Sequence, residues 1–285
     1  MTCTEPLFAP HPSQPTPTAI ELRGVTKEFD TPGGGRYQAL RDLNLTVAAG
    51  EFCAVVGPTG SGKSTTLSLV SGLEAPTAGE VMVRGRPVTG IGPEIGFVFQ
   101  TDAVFPWKSV LDNVMAGPRF RGKPKAQAQA DARDWLRRVG LSGFEDRYPH
   151  QLSGGMRKRV ALAQSLINEP GILLMDEPFS ALDVQTRAIM ATELLLLWDL
   201  TRPAVVFVTH DLEEAIALAD KVVVLTAGPA TVKAVFPVDL PRPRVVQEVR
   251  FEAAFVELYH QIWEALRDEV MVAYARTTTA GTAPK

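Results

Sequence analysis

Residues 52–70, FCAVVGPTGSGKSTTLSLV, constrain the fold more than any other stretch. An apolar run without alternation ends in a glycine-rich turn, and a helical pattern follows. A strand with apolar side chains on both faces needs cover on both, which implies a parallel sheet flanked by helices. The runs GFVF, ILLMD, AVVFVTH and KVVVLT repeat the theme, several with helical patterns behind them, and IELRGVTKEF and LNLTV precede it. Strands that alternate with helices predict an α/β fold.

Between Gln100 and about Asn168 the texture changes. The segment KPKAQAQADARDWLRRVG and the residues after LSGG read as helices with no strand run between them, so a helical lobe is expected between sheet strands. It begins with a turn, FPWKSVLDNV, in which Phe105, Pro106 and Trp107 precede a helix. Ser153 is placed to cap the next helix, with Met156, Val160, Ala163 and Ile167 on one apolar face. After the Pro-rich DLPRPR, Phe251, Phe255, Leu258, Tyr259, Ile262 and Leu266 fall at helical spacing. This face is expected to pack on the chain's own domain. Residues 1–18 and 276–285, rich in Pro, Thr and small residues, are expected to be flexible tails.

A chain of 285 residues that is 45% hydrophobic can bury a large core, and a net charge of −3 gives no global attraction to nucleic acid or anionic lipid. Any anion site must therefore be local. The two cysteines, Cys3 and Cys53, form neither a disulfide framework nor a metal pattern. No apolar stretch reaches membrane-spanning length, LLLLW at 194–198 included, and the N-terminus carries no secretion signal.

The chemistry starts at residues 57–64, GPTGSGKS, which fit G-x-x-x-x-G-K-[ST] after a strand and before a helix. In that arrangement the amides of Gly57, Pro58 (which has no N–H), Thr59, Gly60, Ser61 and Gly62 wrap phosphates as a loop. Lys63 reaches the β/γ oxygens, and Ser64, followed by Thr65, can ligate Mg²⁺. The apolar strand ILLMDE ends in Asp176 and Glu177, at the edge where ligands sit in open α/β sheets. Asp176 is expected to hold Mg²⁺, and Glu177 to orient or deprotonate an attacking water. Together these imply hydrolysis of Mg·ATP. The strand AVVFVTH would bring His210 to the same edge, although a strand-end histidine is also an ordinary structural residue. At LSGG, Ser153, Gly154 and Gly155 leave backbone amides uncovered at a helix start, a second anion site.

In the order phosphate loop, Gln100, LSGGM, MDE, SALD and His210, residues 20–240 resemble the ATP-binding cassette (ABC) transporter ATPases. LSGGM, the FPW turn, MDEPFSALD and the closing helix resemble the nitrate/sulfonate/taurine importer group within it. The resemblance implies a P-loop NTPase (RecA-like) core with a mixed, mainly parallel sheet over about 19–100 and 169–240. It adds an N-terminal antiparallel β region, an inserted helical subdomain at about 101–168, and a C-terminal helical extension at 241–275. It also implies two chains facing head to tail, so that Ser153, Gly154 and Gly155 meet the γ-phosphate held by the partner's loop. By the same resemblance Gln100 contacts Mg²⁺ and the attacking water, Asp183 links the two sites, and Phe29 stacks on adenine. Tyr37 is a second aromatic candidate, and Phe29 as plain strand-end packing remains an alternative. The implied partners are a second ATPase subunit, membrane permease subunits and, indirectly, an extracytoplasmic solute-binding protein, with the chain peripheral at the cytoplasmic face of the plasma membrane. The FPW turn would offer a groove to a permease helix, or serve only as lobe core.

Two departures from the commoner pattern stand out: Lys158 where Gln is expected, and Gln164-Ser165 where Arg-Ala is commoner. A soluble mechanical ATPase working on nucleic acid or ribosomes shares LSGG, but the acidic balance, the single cassette and the lack of long heptad arms weigh against it. A phosphotransferase would have no use for LSGG or SALD.

Overall fold

The computed structural model describes residues 17–31 and 34–280, with side chains through residue 276. Most of the two expected tails, with Cys3 and His11, lies outside the described residues. The strands are β1 (Thr18–Asp30), β2 (Arg36–Ala48), β3 (Phe52–Val56), β4 (Ala78–Val83), β5 (Arg86–Pro87), β6 (Ile95–Val98), β7 (Ile172–Asp176), β8 (Ala204–Val208), β9 (Lys221–Leu225) and β10 (Val232–Pro237). The helices are α1 (Lys63–Ser71), α2 (Val110–Val114), α3 (Ala116–Phe120), α4 (Lys125–Arg138), α5 (Gly154–Leu166), α6 (Val184–Thr201), α7 (Leu212–Leu218), α8 (Val246–Val249) and α9 (Ala253–Ala280).

Two sheets carry these strands. One, in the order β2-β1-β4-β5, is antiparallel throughout. The other runs β10-β9-β3-β8-β7-β6, parallel except where β10 joins β9. This is the mixed, mainly parallel α/β architecture with an antiparallel β region that the sequence predicts. Every residue of β3 and β8 is buried, as the unbroken apolar runs require. Helices α2 to α5 fall between β6 and β7. The β4–β5 hairpin and β10 are strands that the apolar runs do not announce, because β10 alternates half-buried with exposed residues and β5 has only two.

One core packs the helices against one face of the large sheet, and a second lies between the two sheets around α1. Cys53 is fully buried in the second, and burial pushes its thiol up to about 12, which leaves it unreactive. On α9, Phe255, Ile262 and Leu266 enter the first core, so the closing helix packs on its own chain. Phe251 does not share that face: it precedes α9 and is 74% exposed. The helix also runs to Ala280, past the expected end of the extension.

The Pro-rich segment before α9 owes its anchor to arginines. Arg244 is buried, and its guanidinium donates to the carbonyls of Ala219 (2.7 Å), Leu240 (2.8 Å) and, at 3.3 Å, Ile216, Ala217 and Val238. Three of these acceptors close the C-terminal end of α7, where a cation meets the negative end of the helix dipole. Burial pulls the Arg244 pKa down to about 10, so it stays charged at neutral pH. Arg242 pairs with Asp220 at 2.8 Å and lies over the Trp198 ring, 4.4 Å from its centroid. Arg244→Ala is expected to lower unfolding free energy by about 1–3 kcal/mol through orphaned carbonyls, measured by denaturant titration.

Candidate functional site

The phosphate-loop motif joins β3 to α1, and its glycines are there for backbone reasons. Gly62 caps α1 with φ 75°, and a Cβ on it would lie 2.5 Å from Leu40 Cδ2. No side chain caps α1, so its first-turn amides are open to an anion in the loop. Lys63 is nearly buried and folds back, donating to the carbonyls of Gly57 (2.9 Å) and Pro58 (3.0 Å). Burial lowers its pKa, while Glu177 and Asp176 oppose that shift. A cavity of about 270 Å³ opens here, walled by Thr59 to Thr65, Tyr37, Ala39 and Glu177.

Sheet register brings the remaining groups level with the loop. Asp176 pairs with Val208 across β7 and β8, and Val55 pairs with Val208 across β3 and β8. Asp176 Oδ1 accepts from Ser64 Oγ at 3.1 Å; burial raises the carboxyl's pKa, and the serine bond counters it. The next residue, Glu177, has φ 42°, unusual for a side chain with a Cβ, and its N–H donates to Val208 O at 2.9 Å. Its Oε2 lies 3.1 Å from His210 Nδ1 and 3.4 Å from Gln100 Nε2. Three residues that are far apart in sequence thus converge on one carboxylate oxygen. His210 also borders a second cavity, of about 460 Å³, between α6, α7 and α9.

Other expected residues lie elsewhere. Ser153 caps α5, accepting from Met156 N at 3.3 Å, while Gly154 and Gly155 border Leu182 and Thr186 rather than the Lys63 cavity. Asp183 caps α6, accepting from Gln185 N (3.1 Å), Thr186 N (2.9 Å) and Thr186 Oγ1 (2.6 Å). Those bonds hold its carboxyl below the usual range. Of the two aromatic candidates, Tyr37 is on the cavity wall and Phe29 is not. Phe29 is opposite Tyr37 in the β1–β2 register, half-buried against the inter-sheet core with Lys27 Nζ over its ring at 4.8 Å.

Sequence reasoning missed the groups that hold the loop after β8. Asp211 caps α7 through Glu213 N (2.8 Å) and Glu214 N (3.2 Å), and pairs with Arg187 of α6 at 2.9 Å. Thr209 Oγ1 donates to Glu214 Oε2 at 2.6 Å. His210 therefore stands on a loop fixed on both sides. The only sequence signal was the string THDLEE, in which Asp211 is a cap residue.

Similarity to known proteins gives the family. The family model described as ABC transporter matches residues 40–180. An uncharacterized ABC transporter ATP-binding protein of Methanocaldococcus jannaschii is 46% identical over 252 residues, covering 88% of this chain and 92% of that one. The chain belongs to the ABC transporter ATP-binding family. It is an ATP-binding protein and, as a member of that family, an ATPase. The taurine import ATP-binding protein of Roseobacter denitrificans is 38% identical over 261 residues, 89% of this chain and 97% of the relative. A solved ATP-binding cassette, dimeric in a post-hydrolysis state with ADP and Pi bound, superposes with a TM-score of 0.68 at 32% identity, covering 78% of this chain and 100% of the other. Among the described residues no helix of this ABC ATPase is long and apolar enough to cross a membrane.

Glu214 yields a pH prediction. Burial pushes its carboxyl up to about 7 from an ordinary 4.5, against the Thr209 bond and Arg187. Between those values the folded chain holds a proton that the unfolded chain has released, so stability falls as pH rises through this window and is level above it. Glu214→Gln should remove that slope, on the order of 3 kcal/mol across the window. Denaturant midpoints at pH 4.5, 6 and 8 measure it.

Proposed function

We propose that this ABC ATPase is the energy-coupling subunit of a membrane importer for a small solute of the nitrate, sulfonate or taurine kind. One observation carries the mechanism: Gln100, His210 and Glu177 meet at a single carboxylate oxygen beside Lys63, Ser64 and Asp176. The taurine importer relative, matched over 97% of its length, supports the transport class.

In this reading the triphosphate lies on the loop of residues 57–65, and Lys63 exchanges its two carbonyl partners for phosphate oxygens. The exchange replaces neutral acceptors by anions and so favours binding. Adenine lies against Tyr37, with Phe29 behind it. Ser64 and Asp176 are 3.1 Å apart, with Gln100 beyond Glu177, and this hard-oxygen set suits Mg²⁺. Among the described residues no three His, Cys, Asp or Glu cluster as a closed metal cage, which fits an ion that completes its shell from phosphate and water. Bound there, Mg²⁺ would neutralise charge on the β- and γ-phosphoryl oxygens. Glu177 aligns the attacking water and accepts its proton; His210 and Gln100 hold that carboxylate in place.

Ser153, Gly154 and Gly155 serve the other active site. Their turn is away from the chain's own cavity, so the γ-phosphate they bind belongs to a second copy in a head-to-tail pair, with Asp183 at the junction. ATP closes the pair, and hydrolysis releases it. The motion passes to permease subunits through the helical layer, where a cavity of about 290 Å³ between β6, α3 and α5 includes Phe105 and Phe120 in its wall. Trp107, 72% exposed and 5.8 Å from the Phe105 ring centroid, extends this apolar surface. The subunit is then peripheral, at the cytoplasmic face of the plasma membrane, and solute choice rests with the permease and its extracytoplasmic binding protein. ATPase stimulation of the reconstituted complex by nitrate, taurine and alkanesulfonates identifies the solute.

Glu177→Gln should lower kcat at least about 100-fold while ATP binding persists and ATP-dependent dimers accumulate, read by equilibrium binding and light scattering. A dimer-free Glu177→Gln protein at saturating Mg·ATP would refute closure. Gly154 offers a cleaner probe of the shared interface. A Cβ there has its nearest neighbours at 3.8 and 3.9 Å, so Gly154→Ala fits the isolated chain. It should leave stability and monomer ATP affinity intact yet prevent ATP-driven dimerisation in the Glu177→Gln background.

A further inference from the structure

Helix α5 carries Lys158 and Ser165 seven residues apart, two turns along one face, and both stand at positions where the sequence departs from the commoner family pattern. That face meets β6, the edge strand of the large sheet, which among the described residues pairs only with β7. An edge strand leaves main-chain groups unpaired unless something covers them. Ser165 Oγ donates to Phe97 O at 3.1 Å. Lys158, 3% exposed, places Nζ 2.6 Å from Gln100 O, 3.5 Å from Phe99 O and 3.0 Å from Asp102 Oδ1. Its ammonium thus donates to two carbonyls and forms an ion pair with one carboxylate, all in the segment that delivers Gln100. Arg157, its neighbour, pairs with the other oxygen of Asp102 at 3.0 Å and donates to Leu152 O at 2.8 Å. A buried lysine side chain that engages main chain in this way is not a solvated surface charge; it needs this geometry to offset its desolvation.

We propose that Lys158 is a positioning residue for Gln100. Its grip on the Gln100 carbonyl and on Asp102 sets where the glutamine amide meets Glu177, and it ties that position to the helix that begins at Gly154. The inference rests on the proposed role of Gln100 and Glu177 in hydrolysis, and extends it. Because α5 starts at the turn assigned to the partner's γ-phosphate, a shift of that turn reaches Gln100 of the same chain through one side chain. Lys158 thereby links the nucleotide gripped by the signature turn to the glutamine that serves the chain's own nucleotide.

The test is a double-mutant cycle on the full-length chain, with single-turnover ATP hydrolysis normalised to bound ATP. Lys158→Met should lower the rate about tenfold or more, the scale expected when a reacting group is misplaced, with KM for ATP changed less than twofold. In a Gln100→Ala background the same substitution should change the rate less than twofold, because the group through which it acts is gone. Ser165→Ala, which loosens the helix on the strand without touching the Gln100 carbonyl, should change the rate less than twofold. Equal losses from Lys158→Met in both backgrounds, or a loss accounted for wholly by reduced folded protein in calorimetry, would overturn the proposal. If Gln100→Ala and Glu177→Gln both left turnover intact, the hydrolysis reading itself would fall. An inactive Gln100 pathway with additive Lys158 effects would sink only the positioning role.

Discussion

Burial of β3, β7 and β8 on both faces is the constraint on which everything else depends. Strands without a polar face cannot slip by one residue without exposing or crowding a whole set of side chains, so their register is set by packing alone. Asp176, Val208 and Val55 stand level as a result. The residues that follow each of them leave the sheet at one edge, and they include Glu177, His210 and the phosphate loop. The geometry of the candidate site is thus inherited from the apolar core, and polar contacts such as Ser64 with Asp176 refine it.

Charge in this site is held close and unspent. Lys63 rests on its own loop's carbonyls, Asp176 on Ser64, and Glu177 between a histidine and a glutamine. Each partner is weaker than a phosphate oxygen or a divalent ion, so these contacts keep the groups in place without competing strongly for them. The positive φ at Glu177 belongs to the same economy, since the turn that strains this backbone also aims its carboxylate across the strand ends.

Much of this was legible in the sequence, and the exceptions have physical causes. Short, unbroken apolar runs rich in β-branched residues located the parallel strands, most clearly β3 and β8, which are buried at every position. The strand–loop–helix string and the paired acids then pointed to the loop and the carboxylates at the Lys63 cavity. The alternating β10 and the β4–β5 hairpin were not located, since neither has a long run of apolar residues. Tyr37 reached the cavity through hairpin register with Phe29, which depends on a turn the sequence does not specify. Lys158 stood out only as a departure from the family pattern and Arg244 not at all, because a long charged side chain gives no sign in sequence of the carbonyls it will find. Phe251 fitted the helical spacing but precedes the helix, so periodicity placed it on a face that does not exist there.

The arginine clasp at the end of α7 has a further consequence. Its acceptors are peptide oxygens, which neither titrate nor attract competing cations strongly, and burial shields the guanidinium from mobile ions. The hold of Arg244 on the segment that leads to the terminal helix is therefore indifferent to ionic strength and to cellular acidification, while Glu214, within the same helix α7, gains and loses its proton near neutrality. Acidification would reach the loop that bears His210 through Glu214 and leave the arginine clasp in place.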